Sequence, residues 1–394
     1  MRTTRSPHGG RRTAAPRALI APAVLASALV ATAAVGVIAG GRPVAALSTA
    51  NQSASDSKAV IAKTVAKSAG WRVITTVGPY NEGVSGTLTA NSAADAWSVW
   101  TGTQYTAVDR LVGGHWTRVP VPVKLTGYVR SAVAFGGASA SDFWLFDSYR
   151  ANHALRFTGG RWTLQQIPAW VLPQRSGGGG LSAVTTSVFG PDNVWVFGLD
   201  AGAYAAHYNG RTWAKVRLPS VPDAVSAVSP DDIWALHGDT AWHGNGKMWT
   251  ATKIPKAAGN PPEAFGNLTV AGRNSAWVWR TILVPGPRTD ADVLHWNGTA
   301  WRRVAGTPAD NIDSVAPDGA GGLWATGVDI NPGGFHLFYH LTGGHWSEVN
   351  PPPAGMWDQA PEYLTWIPGT HSLWGTASGL TSKGEYAEII KSGP

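Results

Sequence analysis

The chain has 394 residues, 44% of them apolar, and a formal net charge of +7. It contains no cysteine, which excludes disulfides, thiol nucleophiles, thiolate metal sites and a lipid-bearing N-terminal cysteine. Six of the seven net charges are supplied by Arg2, Arg5, Arg11, Arg12, Arg17 and Arg42, leaving +1 on residues 48–394, so the basic balance gives no ground for a nucleic-acid partner.

In chain order, the Arg-rich start leads into an uncharged run over 18–40, ALIAPAVLASALVATAAVGVIAG, and then GRPVAALS. Small residues at Val44 and Ala46 suit signal peptidase. Residues 1–47 therefore read as a signal peptide, or as an uncleaved N-terminal membrane anchor, since the apolar run is long enough to span a bilayer. Either way the Arg cluster stays inside and the remainder is exported, secreted or held at the cell surface. Arg11-Arg12 leaves both general and twin-arginine export open. Residues 48–70, small and polar, read as a flexible linker.

From residue 71 the chain repeats. One tryptophan series follows tight glycine turns: Trp116, Trp162, Trp213 (NGRTW), Trp249 (NGKMW), Trp301 (NGTAW) and Trp346, with Trp71 opening it. A second series sits in short apolar runs: Trp97, Trp144, Trp195, Trp234, Trp277, Trp324 and Trp374. The two alternate strictly with a period of about 45 residues, which is that of a propeller blade. Each unit supplies four strands, and Asn-Gly between alternating runs marks the last hairpin, where both central residues need positive φ. Asp95, Asp142, Asn193, Asp232, Ser275, Gly322 and Ser372 stand two residues before the second tryptophan. They read as a repeated turn bonding its own backbone rather than as catalytic acids.

The series opens with a fourth strand at Trp71 that lacks its first three, and the sequence ends, in EYAEIIKSGP at 385–394, with three strands that lack a fourth. Joined, the two ends complete one blade and remove the open edge of a ring of sheets. The expected fold is all-β: residues 71–394 form a seven-bladed β-propeller closed by one N-terminal and three C-terminal strands, with Trp71 buried in the closure.

HYNGRTWAKVRLP, SAVSPDDIWALHG and HWNGTAWRRVAGTP resemble the repeats of secreted actinobacterial β-propellers, which are similar to the kelch and galactose-oxidase-like propellers. NGRTW and NGTAW are similar to the turn of sialidase-type Asp-boxes but lack the defining Asp. The resemblance covers about 320 residues and implies an architecture more than an activity.

Propellers bind on the face that carries the loops between second and third strands and between blades. The inner strands there are nearly bare, and only Arg130, Asp313 and Glu362 place charge on or beside them. These three would serve a carbohydrate-active hydrolase or lyase at the central channel mouth. The irregular loops hold Trp170 and Arg175 between blades, Asp147 and Arg150 after a second strand, and Trp357, Asp358 and Tyr363 before the last unit. Residues 280–292 read as an insertion between a second and a third strand. An aromatic face beside directional polar groups is what a sugar or peptide needs. The competing reading is that these tryptophans cover blade ends. His336 and His340 lie about 13 Å apart on one strand, too far for one metal, so no metal and no cofactor are expected. The leading expectation is a monomeric, non-catalytic binding or scaffold protein for a glycan or protein at the cell surface. It takes no nucleic acid and touches membrane only through an uncleaved N-terminal segment.

Overall fold

The computed structural model describes residues 70–80, 85–101, 106–126, 132–147, 153–168, 170–171, 184–198, 203–259, 261, 263–283, 289–304, 311–328, 336–349, 361, 363–381 and 384–393. Residues 1–47 and 48–69, expected to form a signal peptide or anchor and most of a linker, lie outside these residues.

The strands fall into seven four-stranded antiparallel sheets. The chain enters on β1 (Arg72–Tyr80). Blade 1 follows as β2 (Ser85–Ser92), β3 (Asp95–Thr101), β4 (Thr106–Val112) and β5 (His115–Arg118). A one-turn helix, α1 (Val123–Thr126), leads to blade 2: β6 (Ala132–Ser139), β7 (Asp142–Asp147), β8 (His153–Thr158) and β9 (Arg161–Gln166). Blade 3 is β10 (Val184–Gly190), β11 (Asn193–Gly198), β12 (Tyr204–Tyr208) and β13 (Trp213–Arg217). Blade 4 is β14 (Ala224–Ser229), β15 (Asp232–His237), β16 (Thr240–Gly244) and β17 (Trp249–Lys253). Blade 5 is β18 (Glu263–Gly272), β19 (Ser275–Leu283), β20 (Thr289–Trp296) and β21 (Trp301–Val304). Blade 6 is β22 (Asn311–Pro317), β23 (Leu323–Val328), β24 (His336–Thr342) and β25 (His345–Glu348). Blade 7 is β26 (Tyr363–Trp366), β27 (Leu373–Thr381) and β28 (Gly384–Lys391), completed on its outer side by β1 in the order β1-β28-β27-β26. The protein is a seven-bladed β-propeller closed between its two ends.

Each second strand is covered by neighbouring blades on both faces, so its run is apolar throughout rather than alternating. All seven tryptophans of the second series are at most 5% exposed. The core is a set of interfaces between blades. Trp144 and Phe146 of blade 2, for example, pack with Val194, Val196 and Ala206 of blade 3. At the axis, inner strands are clipped together by side chains reaching a neighbour's backbone. Thr186 Oγ1 donates to Phe135 O (2.9 Å), Thr365 Oγ1 to Leu88 O (3.0 Å), and Ser314 Oγ accepts from Leu364 N (3.1 Å). Gly86 must be glycine, because a Cβ there would lie 2.0 Å from the buried Trp100 ring.

The Gly-Gly hairpins have positive φ at both central residues, as at Gly113 and Gly114 (59° and 82°). The Asn-Gly hairpins depart from expectation. Asn209 N donates to Thr212 O (3.2 Å), so Asn209 pairs with Thr212 and the central residues are Gly210 and Arg211. The asparagine instead holds the turn from outside, its Oδ1 accepting from Arg211 N and Thr212 N. Asn245 and Asn297 repeat this arrangement.

Closure is firm. β1 runs antiparallel to β28, with Arg72 opposite Lys391 and Val73 opposite Ile390. Trp71 is 4% exposed. Its ring meets Trp324 (5.6 Å, 88°) and Phe338 (5.1 Å, 72°) of blade 6 edge-on. Arg72 Nη1 donates to Gly393 O (2.8 Å), and Leu373 N donates to Ser392 Oγ (3.0 Å). Emptying a core site of this size costs about 3–5 kcal/mol. Trp71→Ala should lose that much in denaturant unfolding, and deletion of residues 71–78 should unfold or aggregate the protein. A deletion variant that stays monomeric with an unchanged melting temperature would refute the closure.

Candidate functional site

The turn residues before the second-series tryptophans do more than cap their own turns. Opposite each tryptophan on the third strand stands a cation or a histidine: Arg110, Arg156, His207, His243, His295, His340 and Lys391. In four blades the imidazole stacks on the indole, most tightly at Trp277 and His295 (3.7 Å, 13°). In blades 3 and 4 the turn residue then binds both rings. Asn193 Oδ1 accepts from Trp195 Nε1 (3.0 Å) and meets His207 Nε2 (3.0 Å). Asp232 Oδ1 does the same for Trp234 (3.2 Å) and His243 (2.7 Å). In blade 2 Arg156 lies over Trp144 and pairs with Asp142 (2.9 Å). Blade 6 has Gly322 at the turn position, and Asp318 takes over, facing His340 Nε2 at 3.0 Å. Burial works to raise the Asp318 carboxyl, but His340 and the N–H groups of Ala320 and Gly322 outweigh it and hold the carboxyl below its ordinary value. These acids are structural, and His340 is occupied with Trp324 and Asp318.

Blade 5 holds charge that its sequence pattern conceals. The presumed insertion over 280–292 is largely a continuation of β19 and β20, with Arg280 opposite Asp292. The inner strand β18 begins at Glu263, which adds an acid to the three expected near the inner strands. Arg280 is 1% exposed and Asp292 fully buried. The guanidinium donates to Asp292 Oδ2 (2.6 and 3.0 Å), to Glu263 Oε2 (2.5 Å) and to Pro255 O (2.6 Å). Arg303 caps the other oxygen of Asp292. Each nitrogen of the buried Arg280 guanidinium has an acceptor, so this network braces the upper part of the blade.

The expected site residues divide into two sectors. Loops joining second to third strands and loops between blades emerge on one face, here the upper face. Asp147 ends β7, opposite Ala132, at the upper end of blade 2. Trp170 lies in the connection from blade 2 to blade 3. Tyr363 starts β26, opposite Thr376, at the junction of blades 6 and 7. The two sectors lie on different sides of the ring, so the structure does not bring these residues into one site. Asp313 is half-buried on β22 at a bulge between Ile312 and Ser314. The bond between Leu364 N and Ser314 Oγ sets it beside the start of β26, at the same end of the channel as Tyr363. Arg130, Arg150, Arg175, Trp357, Asp358 and Glu362 lie outside the described residues.

Around Trp170 the structure gathers residues that sequence inspection passes over. Trp170 and Tyr204 are both half-buried, with ring centroids 6.4 Å apart. Tyr204 Oη donates to Trp170 O (2.7 Å), which locks the two together. Burial pushes the Tyr204 phenol up. Lys215 Nζ lies 3.9 Å from the Tyr204 ring centre and 6.0 Å from that of Trp170. Arg217, exposed, stands opposite Tyr204. Successive side chains of a strand alternate between faces, so Trp213, Lys215 and Arg217 share one face. Trp213 packs on Trp144 and Phe146, which turns that face toward blade 2 and Trp170. The only signal in the sequence is the alternation of WAKVR, which does not reveal its neighbour across the blade boundary.

The fold and this grouping define a seven-bladed β-propeller repeat protein with an aromatic, cationic edge between blades 2 and 3. No protein-family model and no curated protein matches the chain. Among solved structures it is similar to YCF48 bound to D1 peptide, at 11% identity over 82% of this chain and 98% of that one, TM-score 0.51. It is likewise similar to a chain in the crystal structure of the Mitotic Checkpoint Complex, at 9% identity over 89% and 99%, TM-score 0.50. At such identities the likeness is one of fold.

Two outcomes follow from the buried charges. Removing Arg280 leaves Asp292 buried without its main partner, a loss of about 3–5 kcal/mol. Arg280→Ala should show it in denaturant unfolding, and Arg280→Leu combined with Asp292→Leu should recover most of it. Burial also holds His207 and His295 below their ordinary value of 6.5. The unfolded chain therefore takes up these protons first, and stability falls as pH drops below about 6.5. The midpoint of urea unfolding should be lower at pH 5 than at pH 7.5, and His207→Gln with His295→Gln should reduce the difference.

Proposed function

We propose that this is an exported, non-catalytic binding or scaffold protein of the secreted kelch-like kind. It acts as a monomer and holds a protein or glycan partner at the cell surface through its upper face. The observation that carries the reading is the edge between blades 2 and 3. Two locked, half-buried aromatic rings lie beside Lys215 and Arg217, neither of which has a carboxylate partner among the described residues. Flat apolar surface next to polar groups of fixed direction is the usual composition of a recognition site. The peptide bound to YCF48 agrees with a protein partner.

A thermal-shift screen with cell-wall sugars, glycan fragments and short peptides tests the reading. A ligand at 100 times its Kd adds about 2.7 kcal/mol to the native state, and Trp170→Ala should abolish the resulting rise in Tm. A ligand whose shift survives Trp170→Ala binds elsewhere. Turnover of a glycan that is lost in Asp313→Asn would replace this reading with a hydrolase or lyase at the channel mouth.

A further inference from the structure

Among the described residues the outer strand of each blade has one edge paired and one edge open, and hydrogen-bond parity shows which residues face outward. In blade 3, Leu218 N donates to Ala203 O and Thr212 O accepts from Asn209 N. Even-numbered residues of this stretch therefore bond to β12. By the two-residue period of a strand, Trp213, Lys215 and Arg217 turn their own N–H and C=O groups to the open edge. The same parity holds in blade 1 through Val119 N to Val108 O, in blade 4 through Ile254 N to Asp239 O, and in blade 5 through Asn297 N to Ala300 O. It places Arg118, Lys253 and Arg303 at the matching open positions.

Those three cations are neutralised within their own blades. Arg118 pairs with Asp109 (2.6 Å), Lys253 with Asp239 (2.8 Å) and Arg303 with Asp292 (2.5 Å). Blade 3 differs. Lys215 and Arg217 are exposed, lie on one face two residues apart, and have no carboxylate partner among the described residues. An open strand edge is a template for another strand, and charged side chains normally protect it against unspecific pairing. Here the two charges select instead of merely protecting, because the aromatic pair beside them supplies an apolar anchor.

Resting on the reading above, we propose that the open edge of β13 receives an extended acidic segment of a partner protein as a fifth strand of blade 3. Carboxylates two residues apart along the segment repeat at about 7 Å and match the spacing of Lys215 and Arg217. Main-chain bonds to Trp213, Lys215 and Arg217 supply pairing that does not depend on sequence, and an apolar residue of the segment covers Trp170.

The test uses the full chain and a fluorescein-labelled heptapeptide Leu-Thr-Glu-Thr-Glu-Thr-Leu, whose Leu and Glu side chains share one face, read by fluorescence anisotropy, with a Gln-for-Glu peptide as control. The expected result is binding of the Glu peptide, at least tenfold weaker binding of the Gln peptide, and a loss of at least tenfold in the Lys215→Gln, Arg217→Gln double variant. N-methylation of one alternate set of peptide residues should abolish binding while methylation of the other set leaves it, which is the signature of strand pairing. No binding of the Glu peptide at millimolar concentration overturns the proposal. So does equal loss from both methylation patterns, or equal displacement by polygalacturonate fragments, which would assign the edge to an anionic glycan. A ligand from the thermal-shift screen that needs Trp170 but ignores both substitutions would sink the strand-addition proposal and keep the binding reading. The reverse pattern would keep the strand and discard the aromatic site.

Discussion

A ring of sheets keeps an open edge until its last sheet is complete, and here completion rests on the pairing of β1 with β28. Arg72 and Gly393, bonded to each other, are 321 residues apart in the chain. Closing a flexible loop of that length costs about 5 kcal/mol in chain entropy. The contribution of Trp71, packed edge-on against the stacked rings of Trp324 and Phe338, is of the same order, and the bonds of β1 to β28 add to it. The ladder is not regular: its register shifts between Val73 and Thr75 and again between Val77 and Tyr80. Such bulges twist the strand, which helps to keep this long outer edge from pairing with other chains.

Inside the ring, one local unit recurs with different chemistry. A buried tryptophan on the second strand faces a cation or imidazole on the third, and a turn residue binds that partner. The unit tolerates Asn, Asp, Ser or a displaced Asp because each presents an oxygen to the third-strand partner, and in blades 3 and 4 to the indole N–H as well. This is why acids that resemble a catalytic motif in one blade have structural counterparts in the next. It also makes polar groups part of the cores, and at Trp195 and Trp234 the turn residue answers an indole N–H held inside.

Most of the fold was legible in the sequence. Two alternating tryptophan series define the strands, and burial of a ring that large tolerates little drift in spacing. The completion of the last blade follows from counting strands at the two ends. The site was much less legible. Trp170 stands out as an irregular loop aromatic, but Tyr204, Lys215 and Arg217 belong to ordinary-looking strands and reach Trp170 only across a blade boundary. Glu263, Arg280 and Asp292 escaped for a related reason. The extension of β18, β19 and β20 depends on mutual ion pairing, and hydropathy periodicity carries no trace of it. Whether Trp170 and Tyr363 could share a ligand depends on their angles around the ring, which linear distance does not convey.

The order of the closing strands along the chain also bears on how the protein is made. During synthesis in the N-to-C direction, β1 is the first strand of the propeller to appear, and its partner β28 is the last. Until then an apolar nine-residue strand has no native neighbour. Blades 1 to 6 draw all their strands from consecutive sequence and can assemble as they emerge, whereas the seventh cannot. A chain that stalls before residue 384 leaves β1 and the outer edge of β27 without their shared partner β28, a state open to recognition by chaperones and proteases. The geometry that seals the finished ring therefore also makes completion of the chain a condition for hiding its first strand.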